Sequence, residues 1–381
     1  MDLGLNEVQQ MLRTSAREFL ARECPLSLVR AMEEDPQGYP ETLWRQMVDL
    51  GWTGLAFPEQ YGGTGGSFLD LAVLVEELGR ALAPGPFFSS VVLGGLTVLD
   101  AGSEAQKRDL LPRLCGGQLR MTLALTEPSV SYEPQGVETT AILMGNTYHI
   151  NGTKLFVPDA EGAGLLLVPA RTAASPSQPE GITLFLVPAE SHGVTITRLN
   201  SIAPVRQCEV VLHQVSLPTT AVLGRVGGAA WLAVQRALQR AIAGQCIAMV
   251  GGAQAVLDMT VEYVKQRTQF GRPVGAFQAV QHLCADMATD VEGCRHVAYQ
   301  AAWRIAEGLP AQREVALAKA WVSAAYQRVC ATAHQCHGAI GFTKEHNLQL
   351  YTRRAKVQEL SYGEGHYHRE LVMQAWAGQP L

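Results

Sequence analysis

Near the end of the chain one carboxylate stands between two glycines, in Tyr362-Gly363-Glu364-Gly365-His366, after a basic run that begins Arg353-Arg354-Ala355-Lys356. Glycine on both sides lets the backbone bend tightly and approach a ligand closely. Glu364 is thereby presented from a turn, where a carboxylate can take a proton. Alone, such a turn is more often a surface loop. Two histidine pairs, His334-x-x-His337 and His366-x-His368, have spacings that zinc can use. No cysteine or carboxylate cluster joins either pair, so no metal site is expected. Eight cysteines are scattered with no Cys-x-x-Cys pair and read as reduced core residues of a cytoplasmic protein.

Those groups need elements to hold them. With 381 residues, 47% of them hydrophobic, the chain can build two or three domains with cores of their own. A net charge of −5 with no run of like charge argues against nucleic-acid or anionic-membrane partners. The N-terminal residues show no basic region followed by an apolar core, so no secretory signal is expected. The charge-free stretch 81–99 contains Pro84 and Pro86 and reads as buried helix and turn, not as a membrane span.

Residues 5–118 have helical patterning, with Asn6 as a cap and Ser103 with Gln106 as a capping box. The Gly-rich stretch Phe57–Gly66 lacks the Lys-Ser/Thr ending of a phosphate loop and reads as a connection between two helices. From about residue 119 the pattern turns to short β-prone runs separated by Gly145-Asn146, Asn151-Gly152 and a Pro/Ser-rich loop at 172–181. These predict a small antiparallel barrel or sandwich. After Gly227 long helical segments at 228–267, 276–307 and 311–337 predict a bundle. The expected domains are 1–118 (helical), 119–224 (middle β domain) and 225–381 (helical bundle carrying the Glu364 turn).

Several stretches together resemble the acyl-CoA dehydrogenase family over essentially the whole chain. They are Pro58-Glu59-Gln60-Tyr61-Gly62-Gly63, Leu125-Thr126-Glu127-Pro128, Asn151-Gly152-Thr153-Lys154, Arg267-Thr268-Gln269-Phe270-Gly271-Arg272, Gln335-Cys336-His337-Gly338 and the closing Glu364-Gly365. The resemblance implies a helical N-terminal domain, a middle β domain and a C-terminal four-helix bundle, assembled as a homo- or heterotetramer. It also implies bound FAD and α,β-dehydrogenation of an acyl-CoA or other acyl thioester, with electron-transferring flavoprotein as acceptor. In the family a carboxylate removes the α proton while flavin N5 takes the β hydride; the cofactor carries the redox step and a positioned base adds roughly 10²–10⁴-fold.

Family members place that base in the late turn or on the first long helix of the last domain. Here the segment 225–257 contains no Asp or Glu, which leaves the turn and Glu364, with Glu359 and Glu370 as neighbours lacking flanking glycines. Carried over by matching positions, Leu123, Leu125, Thr126 and Phe156 lie along the flavin. Arg267 reaches the FAD pyrophosphate of a neighbouring subunit, and Phe270, Gln278, Gln335 and Gly338 take positions near its adenosine end.

The chain also departs from the family. Ser129-Val130-Ser131-Tyr132-Glu133 replaces a Gly-Ala-Gly-Ser-Asp loop, and Pro158 stands where a hydroxyl residue is usual. Pro158 has neither hydroxyl nor N–H to offer. Alternatives are a subunit of a heteromeric dehydrogenase with a shared FAD site, a flavin oxidase or monooxygenase of the same fold, and a scaffold without activity.

Overall fold

The computed structural model of the chain describes residues 4–172, 179–227 and 230–378. The N-terminal helices are α1 (Glu7–Glu23), α2 (Leu26–Ala31), α3 (Glu41–Asp49), α4 (Phe68–Arg80), α5 (Leu96–Ala101) and α6 (Glu104–Cys115). Both predicted caps form: Asn6 with Gln9 on α1 and Ser103 with Gln106 on α6, each satisfying two otherwise orphaned N–H groups. The Gly-rich stretch connects α3 to α4. The charge-free segment is buried, and Phe88–Gly95 is wound as a π-helix that runs into α5.

The middle of the chain folds as one sheet of β1 (Met121–Leu123), β2 (Thr140–Met144), β3 (Thr147–Pro158), β4 (Leu165–Arg171), β5 (Ile182–Pro188), β6 (Val194–Arg198) and β7 (Gln207–Pro218). The order is β1-β4-β2-β3-β7-β6, with β5 on the other side of β4. Two runs that read as separate strands join into β3, which carries register shifts beside Gly152 and between Lys154 and Val157. The sequence predicts antiparallel pairing throughout; β1 and β2 instead run parallel to β4. Alternation of side chains has a period of two in either direction, so the pattern cannot tell them apart. Ile150, Leu166, Phe185, Val210 and Leu212 fill a core separate from that of the helices. Most of the Pro/Ser-rich loop lies outside the described residues.

The remaining helices are α7 (Ala230–Gln266), α8 (Gln278–Ala306), α9 (Gln312–His337), α10 (Leu348–Leu360) and α11 (Gly365–Trp376). They match the predicted segments closely, and residues 228–229 lie outside the description. By length and composition α7 could cross a membrane, but 78% of its most apolar window is buried inside the protein, so it is the core helix of the bundle. It packs against α8, α9 and α10, and α11 lies along α9.

Helix α4 crosses α7 with backbones almost touching. A Cβ at Gly251 would lie 1.9 Å from the Glu76 carbonyl oxygen and one at Gly79 would lie 2.1 Å from that of Ala248. Only glycine permits this approach. The two acids buried on α4 are both answered: Glu76 by Arg295 and Tyr299 of α8, Glu77 by Arg17 of α1. The first and last helical regions are thus locked together around the sheet.

Candidate functional site

Two of the sequence motifs meet in the interior. The Lys154 ammonium donates to Glu127 Oε1 at 2.6 Å and to the Pro169 carbonyl at 2.8 Å. Glu127 Oε2 accepts the N–H of Glu138 at 2.9 Å and of Thr139 at 3.0 Å. Both charged side chains are buried, Lys154 at 0% and Glu127 at 2% exposure. A buried pair is tolerable only when most of its remaining donors and acceptors are filled; here the Pro169 carbonyl takes a second ammonium hydrogen and two backbone N–H groups serve the carboxylate. Leu155 N–H donates to the Thr126 carbonyl at 2.8 Å, so the pair aligns Leu125-Thr126 beside Leu155-Phe156. Gly152 lets β3 pass: a Cβ there would lie 2.3 Å from Thr139 Oγ1.

These strand ends form one wall of a small cavity. Leu123, Leu125, Thr126, Phe156 and Pro158 lie on the sheet side, faced by Leu93, Leu238 of α7 and Tyr362 of the glycine turn. The cavity has a volume of about 20 Å³, room for about one water. Phe156, Asp159 and Tyr362 take left-handed φ values of +54°, +52° and +58°. Such backbone costs roughly 1–3 kcal/mol per residue and gathers where function demands it.

The turn is held from behind. His368 is buried, and its Nε2 donates to the Tyr362 carbonyl at 2.9 Å. Burial pushes its pKa down to about 4. Gly363 has φ +92°, and Glu364 occupies the N-cap of α11 without capping it through its side chain. The Glu364 carboxylate is exposed, and the cavity side chain contributed by the turn is Tyr362. No Asp or Glu lines that cavity. Of the two neighbouring acids, Glu359 pairs with Lys356 and Glu370 with His366.

The other predicted cofactor residues gather at one end of the helical bundle. Arg267 directly follows α7 and is exposed, with no ion pair among the described residues. A hairpin of β8 (Thr268–Gln269) and β9 (Arg272–Pro273) carries Phe270 at its tip, 91% exposed. Gln278 begins α8, while Gln335 and Gly338 end α9, all three exposed. Gly338 has φ +65°, and a Cβ there would meet nothing within 4 Å, so its backbone is approachable. None of these five residues lines the cavity.

The residues present fit FAD. The strand wall offers apolar surface and an aromatic ring for a flavin, and the bundle end offers an unpaired guanidinium and open backbone for phosphate. FAD would be held by Leu123, Leu125, Thr126 and Phe156 at one end and by Arg267, Phe270, Gln278, Gln335 and Gly338 at the other.

The histidine pairs have other partners. His334 stacks on Phe342 and bonds Thr352, His337 stacks on Tyr263, and His366 pairs with Glu370. Among the described residues no three His, Cys, Asp or Glu side chains converge as a metal set. The eight cysteines are free thiols.

The departing loop explains itself in part. Tyr132 reaches across to the turn, its ring centroid 6.0 Å from that of Tyr367, and burial raises its pKa. Its hydroxyl meets the Thr126 side chain and the backbone N–H groups of Gly363 and Tyr362. Tyr132 thus restores polar contacts in the departing loop. Sequence reasoning missed Tyr362 as a site residue, although it lies beside the glycine turn.

Comparison with known proteins agrees with this fold. The acyl-CoA dehydrogenase N-terminal, middle and C-terminal domains match residues 6–118, 122–215 and 228–377. A probable acyl-CoA dehydrogenase, YngJ of Bacillus subtilis, is 33% identical over 380 residues, covering 98% of both chains. The structure of butyryl-CoA dehydrogenase from Megasphaera elsdenii superimposes with a TM-score of 0.91 at 30% identity, covering 99% of this chain and 100% of that one. A chain of the ChsE4-ChsE5 complex from Mycobacterium tuberculosis gives 0.89 at 28% identity, with 100% of each chain covered. The chain belongs to the acyl-CoA dehydrogenase family of FAD-dependent oxidoreductases.

Proposed function

We propose that the chain carries out α,β-dehydrogenation of an acyl thioester, acyl-CoA being the first candidate, with electrons passing on to an electron-transferring flavoprotein. The observation that carries this reading is the cavity where the Leu123–Thr126 and Leu155–Pro158 strand ends face the glycine turn. FAD, when bound there, supplies the acceptor for the electron pair. The protein's part is to hold the thioester against the wall, exclude water with Leu93, Leu238 and Tyr362, and provide a base. Glu364 is the proposed base. Gly363 and Gly365 give its backbone the freedom to bring the carboxylate inward against the bound thioester. The domains 1–118, 119–224 and 225–381 are the proposed units, assembled as a tetramer in which Arg267 reaches the cofactor of a neighbour.

A second reading has a specific observation in its favour. The cavity of this chain is lined by hydrocarbon with the phenol of Tyr362 and the hydroxyl of Thr126 but no carboxylate, and the Glu364 carboxylate faces solvent. In a heteromeric dehydrogenase this chain would be the subunit that completes the assembly while its partner holds the base. Glu364→Gln separates the two. On the first reading it keeps flavin and loses thioester-dependent bleaching; a Gln variant that bleaches like the parent removes Glu364 from the role. A protein that holds flavin only when co-expressed with a second family member supports the second reading.

A further inference from the structure

Lys319 is a second buried lysine, and unlike Lys154 it has no carboxylate beside it. It lies on α9 with its side chain wholly covered. Its ammonium donates to Gln245 Oε1 of α7 at 3.0 Å, to the Glu359 carbonyl at 3.3 Å and to the Gln358 carbonyl. All three of its donors are thus used on neutral oxygens. Burial draws its pKa down to about 8, which leaves it charged at neutral pH. A buried cation is costly when no anion answers it, so its place at the end of one helix calls for a reason.

That helix is α10, which leads into the glycine turn. The last four carbonyls of a helix have no partner within it. The Ser361 N–H returns to the Val357 carbonyl at 3.0 Å, and Ser361 then leaves the helix with ψ 140°. Among the described residues no later backbone N–H turns back to the Gln358 or Glu359 carbonyl, so the chain does not close α10 with a cap of its own. Lys319 closes it from another helix, with the positive charge that a helix C-terminus favours. The turn itself rests on the next residue of α9: a Cβ on Gly365 would lie 3.8 Å from the Ala320 carbonyl oxygen. Beyond it, His368 donates to the Tyr362 carbonyl. The backbone that carries Tyr362 and Glu364 is therefore held before the turn by Lys319 and after it by His368.

We propose that Lys319 is the positioning residue of the glycine turn. By taking the Gln358 and Glu359 carbonyls it ties the end of α10 to α7 and α9, and so fixes where Tyr362 and Glu364 leave the helix. Lys319 does not line the cavity and acts only through the α10 backbone. Without the ammonium those two carbonyls lose their donor, and the last turn of α10 is free to shift or fray. A reacting group misplaced by about 1 Å can cost roughly 10²-fold in rate.

The catalytic consequence rests on the reading of Glu364 as base, and two readouts keep the two apart. Lys319→Met keeps the hydrocarbon stem and removes the donors. In the flavin-loaded full-length protein, amide hydrogen exchange over residues 357–366 should quicken by roughly 10-fold, while the middle of α7 and of α9 exchanges as in the parent. Flavin bleaching by an acyl-CoA panel (butyryl-, hexanoyl- and octanoyl-CoA) should slow by roughly 10–100-fold. Flavin content, and thioester affinity measured by calorimetry, should change by less than about threefold. Lys319→Gln gives the same readouts should the Met variant fail to fold. Unchanged exchange over 357–366 overturns the clamp. An unchanged bleaching rate, or an affinity loss as large as the rate loss, overturns its part in the reaction. If neither variant folds with flavin, Lys319 is a folding residue and the proposal is overturned. A parent protein bleached by no thioester overturns the proposed function alone, because exchange still decides whether Lys319 holds the turn.

Discussion

Replacing Glu127 by Gln keeps the shape of the side chain and can still accept the N–H groups of Glu138 and Thr139, but leaves the Lys154 ammonium without an anion. At 2.6 Å the pair attracts by about 6 kcal/mol at an effective dielectric of ~20. The loss is smaller than this, because the stranded lysine can escape by losing its proton. Neutralising a lysine of ordinary pKa at pH 7 costs at most about 4.6 kcal/mol. Burial already draws the Lys154 pKa downward, so the expected destabilisation is about 3–4 kcal/mol, in the range measured for broken buried pairs. Lys154→Met should cost less, since Glu127 keeps its two backbone donors. The Glu127→Gln/Lys154→Met double variant should fall well short of the sum, because neither charge is then stranded. Urea unfolding at 25 °C followed by circular dichroism measures the three costs, and flavin content reports the aligned wall. A Glu127→Gln cost below about 1 kcal/mol, or costs that simply add, would refute the idea that this pair holds the strand ends in place.

Three further outcomes can be checked. His368 has a folded pKa of about 4 against about 6.5 unfolded, so the unfolded chain binds the extra proton between these values and stability falls as pH drops through that window. The loss at pH 5 relative to neutrality should be about 2 kcal/mol, and His368→Gln should abolish that part of the pH dependence in a urea titration series. Gly152→Ala, whose Cβ would lie 2.3 Å from Thr139 Oγ1, should destabilise by roughly 1–3 kcal/mol and lower flavin content; unchanged melting and flavin content would mean that β3 has slack there. Glu364→Gln should retain the flavin spectrum while losing bleaching by thioesters.

Much of this architecture is legible in the sequence because it rests on local rules. The caps at Asn6 and Ser103 follow from residue type and spacing, and the long helices follow from apolar periodicity. The motifs around Glu127 and Lys154 can be seen as separate stretches, but nothing local shows that the two charges meet across 27 positions. Strand direction is also hidden, because parallel β1 and β4 have the same alternation as an antiparallel pair. The turn was the hardest part. Glu364 between two glycines attracts notice by composition, whereas Tyr362 enters the cavity because its own left-handed backbone and the His368 bond to its carbonyl turn it inward.

The central claim is that this cavity oxidises an acyl thioester with FAD and with Glu364 as base. Anaerobic titration of the purified protein with the acyl-CoA panel, followed at the visible flavin band, tests it most directly. The account predicts a flavin-loaded protein whose band bleaches with a suitable thioester, and a Glu364→Gln variant whose band stays. A flavin-loaded protein whose band no thioester changes, or a Gln variant that bleaches as the parent does, would contradict it.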